Sequence, residues 1–290
     1  MQKKQKRLYE LWSLGIVVSL LLLVFGFFFA SCSKPEKEVE STQPPVISSQ
    51  PAESKEPSES EEPSESTEPS GTETPVESTA PEIVQPASVV LGETADMGAE
   101  YVNQIIFLGD STTYGLGYYG VVDKGQIWTP SGGTLTLSLW SYTAIAYPDT
   151  GEELMLADCV AAKKPAYMVI TLGVNGISFM DETSFKTEYT KLVRCVQENS
   201  PETKIIINSI YPVAASYAHQ SDINNTKIRQ ANEWLKAVAE ETGTRYLDSN
   251  SVLLGSDGWL PESLHNGDGM HLNATGFDMI IQNLRTHGYQ

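Results

Sequence analysis

The chain has 290 residues, of which 40% are hydrophobic, and its formal net charge is −18. Residues 88–290 carry 12 basic and 23 acidic side chains, and they are numerous enough to form one domain with a buried core. Because residues 88–290 are acidic and have no basic cluster, nucleic acid is not an expected partner, nor is an anionic polymer held by long-range attraction.

The N-terminal segment, residues 1–32, has the features of a membrane-targeting signal. Four basic residues within 3–7 precede an almost wholly apolar stretch at 14–30, and Cys32 follows it. This order resembles a bacterial lipoprotein signal, which implies that Cys32 is lipidated. An uncleaved signal anchor is the alternative, because about 17 apolar residues are near the lower limit for spanning a bilayer. Either interpretation predicts a protein tethered to the cell membrane on its outer side.

Residues 33–87 form a linker in which Pro, Ser and Glu recur with almost no large apolar residue. Such a composition cannot bury enough surface to offset the entropy of ordering, so this segment is predicted to be disordered. The glutamates repel one another and the prolines are stiff, so both residue types extend the segment further. The predicted role of the linker is to hold a catalytic domain at 88–290 away from the membrane.

The first strong strand signal of this domain is the apolar run at 105–108, and Gly109-Asp110-Ser111 follows it directly. In open α/β sheets, ligands bind at the carboxyl ends of the strands. A serine that opens the next helix also lies at the positive end of the helix dipole, which favours a developing anion. Ser111 is therefore a candidate nucleophile, although Asp and Ser are also ordinary helix caps.

From this point the sequence alternates strand and helix patterns. Strands are predicted at 105–108, within 134–147, and at 166–172, 204–210 and 244–248. Helices are predicted at about 152–163, 183–199, 220–242 and 273–286. Such alternation indicates an α/β fold with a mainly parallel sheet that helices cover on both faces.

The strand predicted at 166–172 ends in Gly173-Val174-Asn175-Gly176. Parallel neighbouring strands end at the same edge of a sheet, so the amide of Asn175 can reach the same region as Ser111. An amide donor in that place fits an oxyanion hole. Asn-Gly is also a common turn dipeptide, which is the alternative interpretation.

Near the C-terminus, Asp268-Gly-Met-His271 sets a carboxylate and an imidazole three residues apart. A nucleophilic serine needs a base that takes its proton and a carboxylate that orients the base, and this loop supplies both groups. Turn residues and a loop histidine are the plainer alternative. A metal site made of His265, Asp268 and His271 is disfavoured because Gly267 and Gly269 interrupt any helical spacing. No metal and no cofactor are expected.

Together these three blocks resemble the SGNH, or GDSL, hydrolase family over about residues 100–288. The resemblance implies a flavodoxin-like three-layer α/β/α sandwich and ester hydrolysis through an acyl-serine. It further implies that Ser111 is the nucleophile, His271 the base and Asp268 the group that orients it. The side chain of Asn175 and the backbone N–H of Ser111 would donate to the oxyanion.

Two positions depart from the family pattern. Gly176 stands where the family usually carries Asp after the asparagine. The family's glycine block, a further oxyanion donor, has no clear equivalent; Gly151 is favoured, with Gly132 and Gly133 as alternatives. Gly151 is preferred because residues 152–153 are typical of a first helical turn that follows a loop.

Cys159 and Cys195 each fall within a helical pattern, and nothing in the sequence brings them together. Two buried free thiols are expected. Neither cysteine follows a predicted strand, so a cysteine nucleophile is not indicated.

Aromatic residues near the serine and the predicted location outside the cell favour a glycan substrate. These candidates are Tyr114, Tyr118, Tyr119, Trp128, Trp140, Tyr142 and, after a later strand, Tyr211. The sequence thus predicts a monomeric serine esterase that removes small acyl groups, acetyl above all, from a cell-surface or environmental polysaccharide. The alternatives are an O-acyltransferase of the same family and an inactive glycan-binding lipoprotein.

Overall fold

The computed structural model describes residues 88–290. The leader or anchor predicted at 1–32, with Cys32, and the linker predicted at 33–87 lie outside these residues. Within 88–290, no helix has both the length and the apolar character needed to cross a membrane.

The central sheet has five strands, all parallel, in the order β2-β1-β5-β6-β7, and two short strands form a separate antiparallel hairpin. The strands are β1 (Ile105–Gly109), β2 (Ile127–Trp128), β3 (Ile145–Ala146), β4 (Glu153–Leu154), β5 (Tyr167–Thr171), β6 (Lys204–Asn208) and β7 (Arg245–Leu247). The pair β3–β4 makes the hairpin.

Helices cover both faces of this sheet. They are α1 (Gly98–Val102), α2 (Ser111–Tyr118), α3 (Leu156–Lys163), α4 (Glu182–Asn199), α5 (Asn225–Thr242), α6 (Asn250–Leu253) and α7 (Ala274–Thr286). The two longest, α4 and α5, are preceded by the N-cap residues Asp181 and Asn224, whose side chains accept backbone N–H groups of the first turn. Such caps satisfy donors that a helix cannot pair internally.

The pleat of the strands divides the core into two layers. Along β1, Ile106 and Leu108 face one layer while Ile105 and Phe107 face the other. The first layer packs against α3, α4 and α5, and the second against α1, α2, α6 and α7. The three-layer α/β/α sandwich with a parallel sheet, expected from the sequence, is confirmed.

The register of the sheet brings the predicted site segments to one edge. Gly109 at the end of β1 pairs with Thr171 at the end of β5. Ser111 lies two residues beyond Gly109, and Asn175 lies four residues beyond Thr171. Both side chains therefore follow the carboxyl ends of adjacent parallel strands, which is where open α/β sheets bind ligands.

Two predicted elements between β1 and β5 are present but shorter than expected. The strand expected within 134–147 is only Ile145–Ala146, and it pairs with β4 outside the main sheet. The helix expected at about 152–163 begins at Leu156, because Glu153–Leu154 belongs to the hairpin. The edge strand of the main sheet is instead β2, whose two residues are too few to give a periodic pattern.

Candidate active site

The turn from β1 into α2 presents Ser111 at the sheet edge. Asp110 is the N-cap of α2, and its Oδ1 accepts the backbone N–H of Thr112 at 2.9 Å and its hydroxyl at 2.7 Å. The preceding Gly109 has no room for a side chain, because a Cβ there would lie 2.1 Å from the carbonyl oxygen of Thr171. The Gly-Asp-Ser sequence thus packs the strand tightly and leaves the serine at the first position of the helix.

The carboxyl of Asp110 is fully buried behind the serine. Burial raises the pKa of Asp110 to about 6, against hydrogen bonds from Thr112 that lower it. Its Oδ2 has no hydrogen-bond partner among the described residues. From its sequence position Asp110 is predicted only to be a helix cap, and its burial depends on packing that no local pattern predicts.

A continuous chain of hydrogen bonds joins Ser111, His271 and Asp268. The Ser111 Oγ lies 2.9 Å from Nε2 of His271, and Nδ1 of that imidazole lies 2.6 Å from Oδ2 of Asp268. Both distances are within the reach of a proton transfer between side chains. This arrangement can move a proton from the serine hydroxyl to the imidazole while the carboxylate holds the ring in orientation.

The loop that carries Asp268 fixes the carboxylate from its other side as well. Oδ1 of Asp268 accepts the backbone N–H groups of Met270 at 2.8 Å and His271 at 2.9 Å. Partial burial acts to raise the pKa of Asp268, but the His271 contact and these backbone donors outweigh it and hold the pKa below its ordinary value. Asp268 is therefore ionised at neutral pH and accepts from the imidazole.

Asn175 follows β5 in a tight turn, and its side chain has an unused donor. The Nδ2 atom is buried and has no hydrogen-bond partner among the described residues. Buried amide groups are nearly always paired, so this N–H group is available to an acceptor that the described residues do not supply, such as a developing oxyanion. The Ser111 N–H, at the first position of α2, likewise lacks an acceptor in the described part of the chain.

One small cavity shows that these segments converge. Its lining includes Asp110 and Thr112, which flank the serine, together with Val174 beside the asparagine and Met270 beside the histidine. The remaining wall comes from the ends of β5 and β6, with Tyr211 among its residues. Its volume is about 10 Å³. The three predicted blocks thus meet at a single point of the sheet edge.

Gly176, the first departure from the family pattern, is closely packed. A Cβ at this position would lie 2.9 Å from the sulfur of Met180. A side chain here would therefore have to displace the flexible end of Met180.

The assignment of Gly151 to the oxyanion hole is wrong. Gly151 closes the turn of the β3–β4 hairpin with φ +73°, and its N–H donates to the carbonyl of Tyr147 at 2.8 Å. That donor is therefore occupied. The N–H of Gly133 is also occupied, by the carbonyl of Pro130 at 2.7 Å. Of the three glycines, only Gly132 has an N–H without an acceptor among residues 88–290, and it lies in an exposed turn.

The buried side chain of His265 makes hydrogen bonds to the backbone of the loop that carries Asp268 and His271. Its imidazole is buried, and Nδ1 accepts the backbone N–H of Gly267 at 3.0 Å and of Gly269 at 3.2 Å. Nδ1 must therefore be unprotonated, so the ring proton is on Nε2. That nitrogen lies 2.9 Å from Oε2 of Glu262, although its direction falls short of hydrogen-bond geometry.

The backbone of this loop is constrained at Gly269. It adopts φ +82°, and a Cβ there would lie 2.8 Å from the backbone of Tyr217. The loop therefore runs against a neighbouring backbone in a conformation that only glycine adopts readily. The spacing of His265 in the sequence indicates only the disfavoured metal site, and no sequence signal predicts the contacts that it makes.

We expect His265→Ala to lower kcat by about 10- to 100-fold, because a shift of about 1 Å in a catalytic group has effects of that size. His265→Asn should recover most of the loss, since its Oδ1 can accept in place of Nδ1. His265→Gln, which reaches the Nε2 position instead, serves as the matched control and should not recover it. Steady-state kinetics with a small ester separates the two. Equal kcat values in the Asn and Gln variants would contradict the role assigned to Nδ1.

The aromatic candidates divide into exposed and buried groups. Tyr114, Tyr118 and Tyr142 are exposed, and Tyr119 is at the limit of exposure. Trp128, by contrast, is buried in the core, where its ring meets that of Tyr147 edge to face at 5.6 Å. Trp128 is therefore not available to a glycan, because this residue belongs to the buried edge strand.

The two cysteines of the described domain are both free. Cys159 is buried, as expected, and burial raises its pKa to about 11. Cys195 is only half-buried, and burial raises its pKa as well. A thiol with a raised pKa is a poor nucleophile at neutral pH. Within 88–290, no three His, Cys, Asp or Glu side chains are grouped so that they could hold a metal ion.

Comparison with protein families gives one match. The model of the GDSL-like lipase/acylhydrolase family matches residues 107–279, which include Ser111, Asn175, Asp268 and His271. Comparison with curated protein sequences gives no significant match.

Several solved structures resemble the described domain at low sequence identity. A Streptococcus pneumoniae protein provisionally described as a platelet activating factor is 19% identical, with a TM-score of 0.48, over 63% of this chain and 82% of that one. A GDSL-like lipase from Bacteroides thetaiotaomicron is 18% identical, with a TM-score of 0.45, over 63% and 86%. A catalytic mutant of an acetylxylan esterase from Geobacillus stearothermophilus is 19% identical, with a TM-score of 0.37, over 64% and 94%.

Proposed function

The chain belongs to the GDSL-like lipase/acylhydrolase family, and from this premise we propose that it is a serine esterase tethered outside the cell membrane. It removes small acyl groups, acetyl above all, from a cell-surface or environmental polysaccharide. The observation that carries the proposal is the hydrogen-bonded chain from Ser111 through His271 to Asp268. The unpaired amide of Asn175, which follows the adjacent strand β5, supports it.

The proposed reaction begins with attack of the Ser111 Oγ on the ester carbonyl carbon. His271 Nε2 takes the hydroxyl proton, and the carbonyl oxygen becomes an oxyanion that accepts from Asn175 Nδ2 and the Ser111 N–H. The C–O bond to the sugar then breaks, and the imidazolium gives its proton to the departing alkoxide. Water attacks the acyl-serine by the same route in reverse, which releases the carboxylic acid and restores the serine.

The small cavity favours a short acyl group. It touches the neighbours of Ser111, Asn175 and His271, and its volume of about 10 Å³ has room for about one methyl- or water-sized group. Apolar walls from Leu172, Val174 and other residues suit the methyl of an acetyl group. Longer acyl chains would have to displace buried side chains, which is costly in a close-packed interior.

We expect kcat/KM for 4-nitrophenyl esters to fall by about tenfold or more between acetate and butyrate, since each methylene in a closed pocket is worth about 1–3 kcal/mol. Ile210→Val removes one methyl from the cavity wall and should raise the propionate-to-acetate ratio. Leu254→Val, at a half-buried position away from the cavity lining, is the matched control and should leave that ratio unchanged. A preference for octanoate in the unsubstituted protein would exclude the proposed acyl pocket.

The location outside the cell rests on the sequence of residues 1–32, and the glycan substrate rests on that location and on the exposed tyrosines. Product analysis with an acetylated glycan tests both the substrate and the reaction. Free acetate that disappears in Ser111→Ala supports the esterase. Acetate found on an added acceptor sugar would instead identify an O-acyltransferase. Binding without turnover, unchanged in Ser111→Ala, would identify a glycan-binding protein.

A further inference from the structure

A larger cavity of about 340 Å³ opens beside the nucleophile helix. Its lining combines α2 residues, from Tyr114 onward, with the segment after β2 and the β3–β4 hairpin. The groove is linked to the nucleophile through this helix, because the lining residue Tyr114 lies three residues after Ser111. Its volume is in the range of about 300–1,000 Å³ that is typical of small-molecule sites.

One wall of the groove consists of tyrosine rings that protein atoms leave uncovered. Tyr114 lies one helical turn after Ser111, and its ring centroid is 6.3 Å from that of Tyr118. These side chains are 47% and 69% exposed. Flat, exposed rings can pack against the C–H face of a sugar ring while their hydroxyls stay in water. The wall therefore suits a pyranose ring next to the sugar whose ester reaches Ser111.

The charge of the groove is opposite to that of the domain. Lys124 is the one charged residue in the described lining, and it forms no ion pair within residues 88–290. Two carboxylates beside the lining residues have partners: Asp123 accepts the Gly125 N–H at 2.7 Å, and Asp149 binds Lys163 at 2.8 Å. Glu152, beside Gly151 of the lining, is exposed and forms no ion pair within residues 88–290.

Further polar groups complete the groove. The hydroxyls of Thr129 and Ser131 line it, and neither has a hydrogen-bond partner among the described residues. The stem of Lys124 lies against α2, since a Cβ at Gly117 would be 3.7 Å from its Cγ. The ammonium group is thus carried on a stem that packs beside the tyrosine wall.

We propose that this groove binds a negatively charged sugar residue next to the acylated one. The inference rests on the proposed function, and it names the substrate class of that site. Net negative charge on the domain weakens long-range attraction of a polyanion, whereas an unpaired ammonium at short range recognises one carboxylate or phosphate group. Lys124 donates to that anion, the tyrosine rings pack on the sugar face, and the free hydroxyls bind sugar hydroxyls.

The test compares four substrates of the purified full-length protein at low salt. They are O-acetylated trigalacturonate, O-acetylated maltotriose phosphate, O-acetylated xylotriose and 4-nitrophenyl acetate. We expect kcat/KM for an anionic oligosaccharide to exceed that for xylotriose by about fivefold, the size of one exposed ion pair. A gain for the galacturonate alone identifies a carboxylate ligand, and a gain for the phosphate alone identifies a phosphate ligand.

Variants assign the preference to the groove. Lys124→Gln should abolish the advantage of the anionic oligosaccharides, whereas Lys164→Gln, at an exposed lysine after α3, should keep it. Tyr118→Ala should raise KM for all three oligosaccharides and leave 4-nitrophenyl acetate within about twofold. Equal kcat/KM for neutral and anionic oligosaccharides, or a preference that persists in Lys124→Gln, would overturn the proposal.

Failure of the proposed function gives a different result. In that case no ester is turned over in a Ser111-dependent manner. Calorimetric titration of Ser111→Ala with deacetylated trigalacturonate and with xylotriose then still measures whether the groove binds these sugars. Binding of the galacturonate that weakens in the Ser111→Ala, Lys124→Gln double variant supports the groove alone. Absence of any difference between the two sugars refutes it.

Discussion

Ser111→Ala and His271→Ala are each expected to lower kcat for 4-nitrophenyl acetate by about 10⁴-fold or more. The Oγ of Ser111 is the atom that would form the acyl bond, and at 2.9 Å the Nε2 of His271 is placed to take its proton. A neutral hydroxyl attacks esters poorly without that base. The two residues therefore act as one unit, and either substitution disables both.

A double-mutant cycle distinguishes this unit from two independent contributions. The Ser111→Ala, His271→Ala protein should be about as active as either single variant, because nothing remains for the second substitution to remove. Ser256→Ala and His219→Ala change exposed residues outside the hydrogen-bonded chain and serve as controls that should stay near the activity of the unsubstituted protein. Activity of His271→Ala within tenfold of that level would mean that another group takes the serine proton.

The elements that could be predicted from the sequence are those whose own residues carry a clear local pattern. Strands β5 and β6 are buried on both faces, so their apolar runs stand out against the polar segments around them. Helix α4 has buried residues at helical spacing, and its cap residue precedes it directly. In each case the pattern that identifies the element is also the pattern that buries it.

Between β1 and β5 the sequence carries less information, because the structure there depends on distant contacts. Two residues suffice for β2, since it only has to pair with the end of β1. The β3–β4 hairpin is held by its own pairing and by the turn at Gly151, which resembles a helix start in composition. Short strands and glycine turns of this kind have no period that distinguishes them from loops.

Some residues of the site could likewise be predicted from the sequence, and others could not. Ser111, Asp268 and His271 could be predicted because each lies in a short motif, and the sheet edge brings these motifs together. The burial of Asp110 and the two backbone contacts of His265 could not, since both arise from segments that meet only in the folded chain. The groove at Lys124 is likewise made by several elements that are distant in sequence.

The second large effect is expected at Asn175. Asn175→Ala should lower kcat for 4-nitrophenyl acetate by about 100- to 1,000-fold with little change in KM, because the amide donates to an oxyanion that exists only in the transition state. Asn175→Asp keeps the shape but replaces the donor with a negatively charged acceptor. This variant should lose at least as much activity, since its charge repels the oxyanion. Burst kinetics should also show that formation of the acyl-serine is the slowed step.

Substitution of Asn175 should change the free energy of unfolding independently of kcat. Nδ2 of Asn175 is buried without a partner in the free protein, and an unpaired buried donor costs about 1–3 kcal/mol. Removing it in Asn175→Ala should therefore leave the free energy of unfolding unchanged or raise it, while kcat falls. Thermal unfolding of the same samples measures this. A protein that loses both activity and stability would assign Asn175 a structural role in the turn. Loss of activity alone is the expected signature of a donor held in place for the transition state.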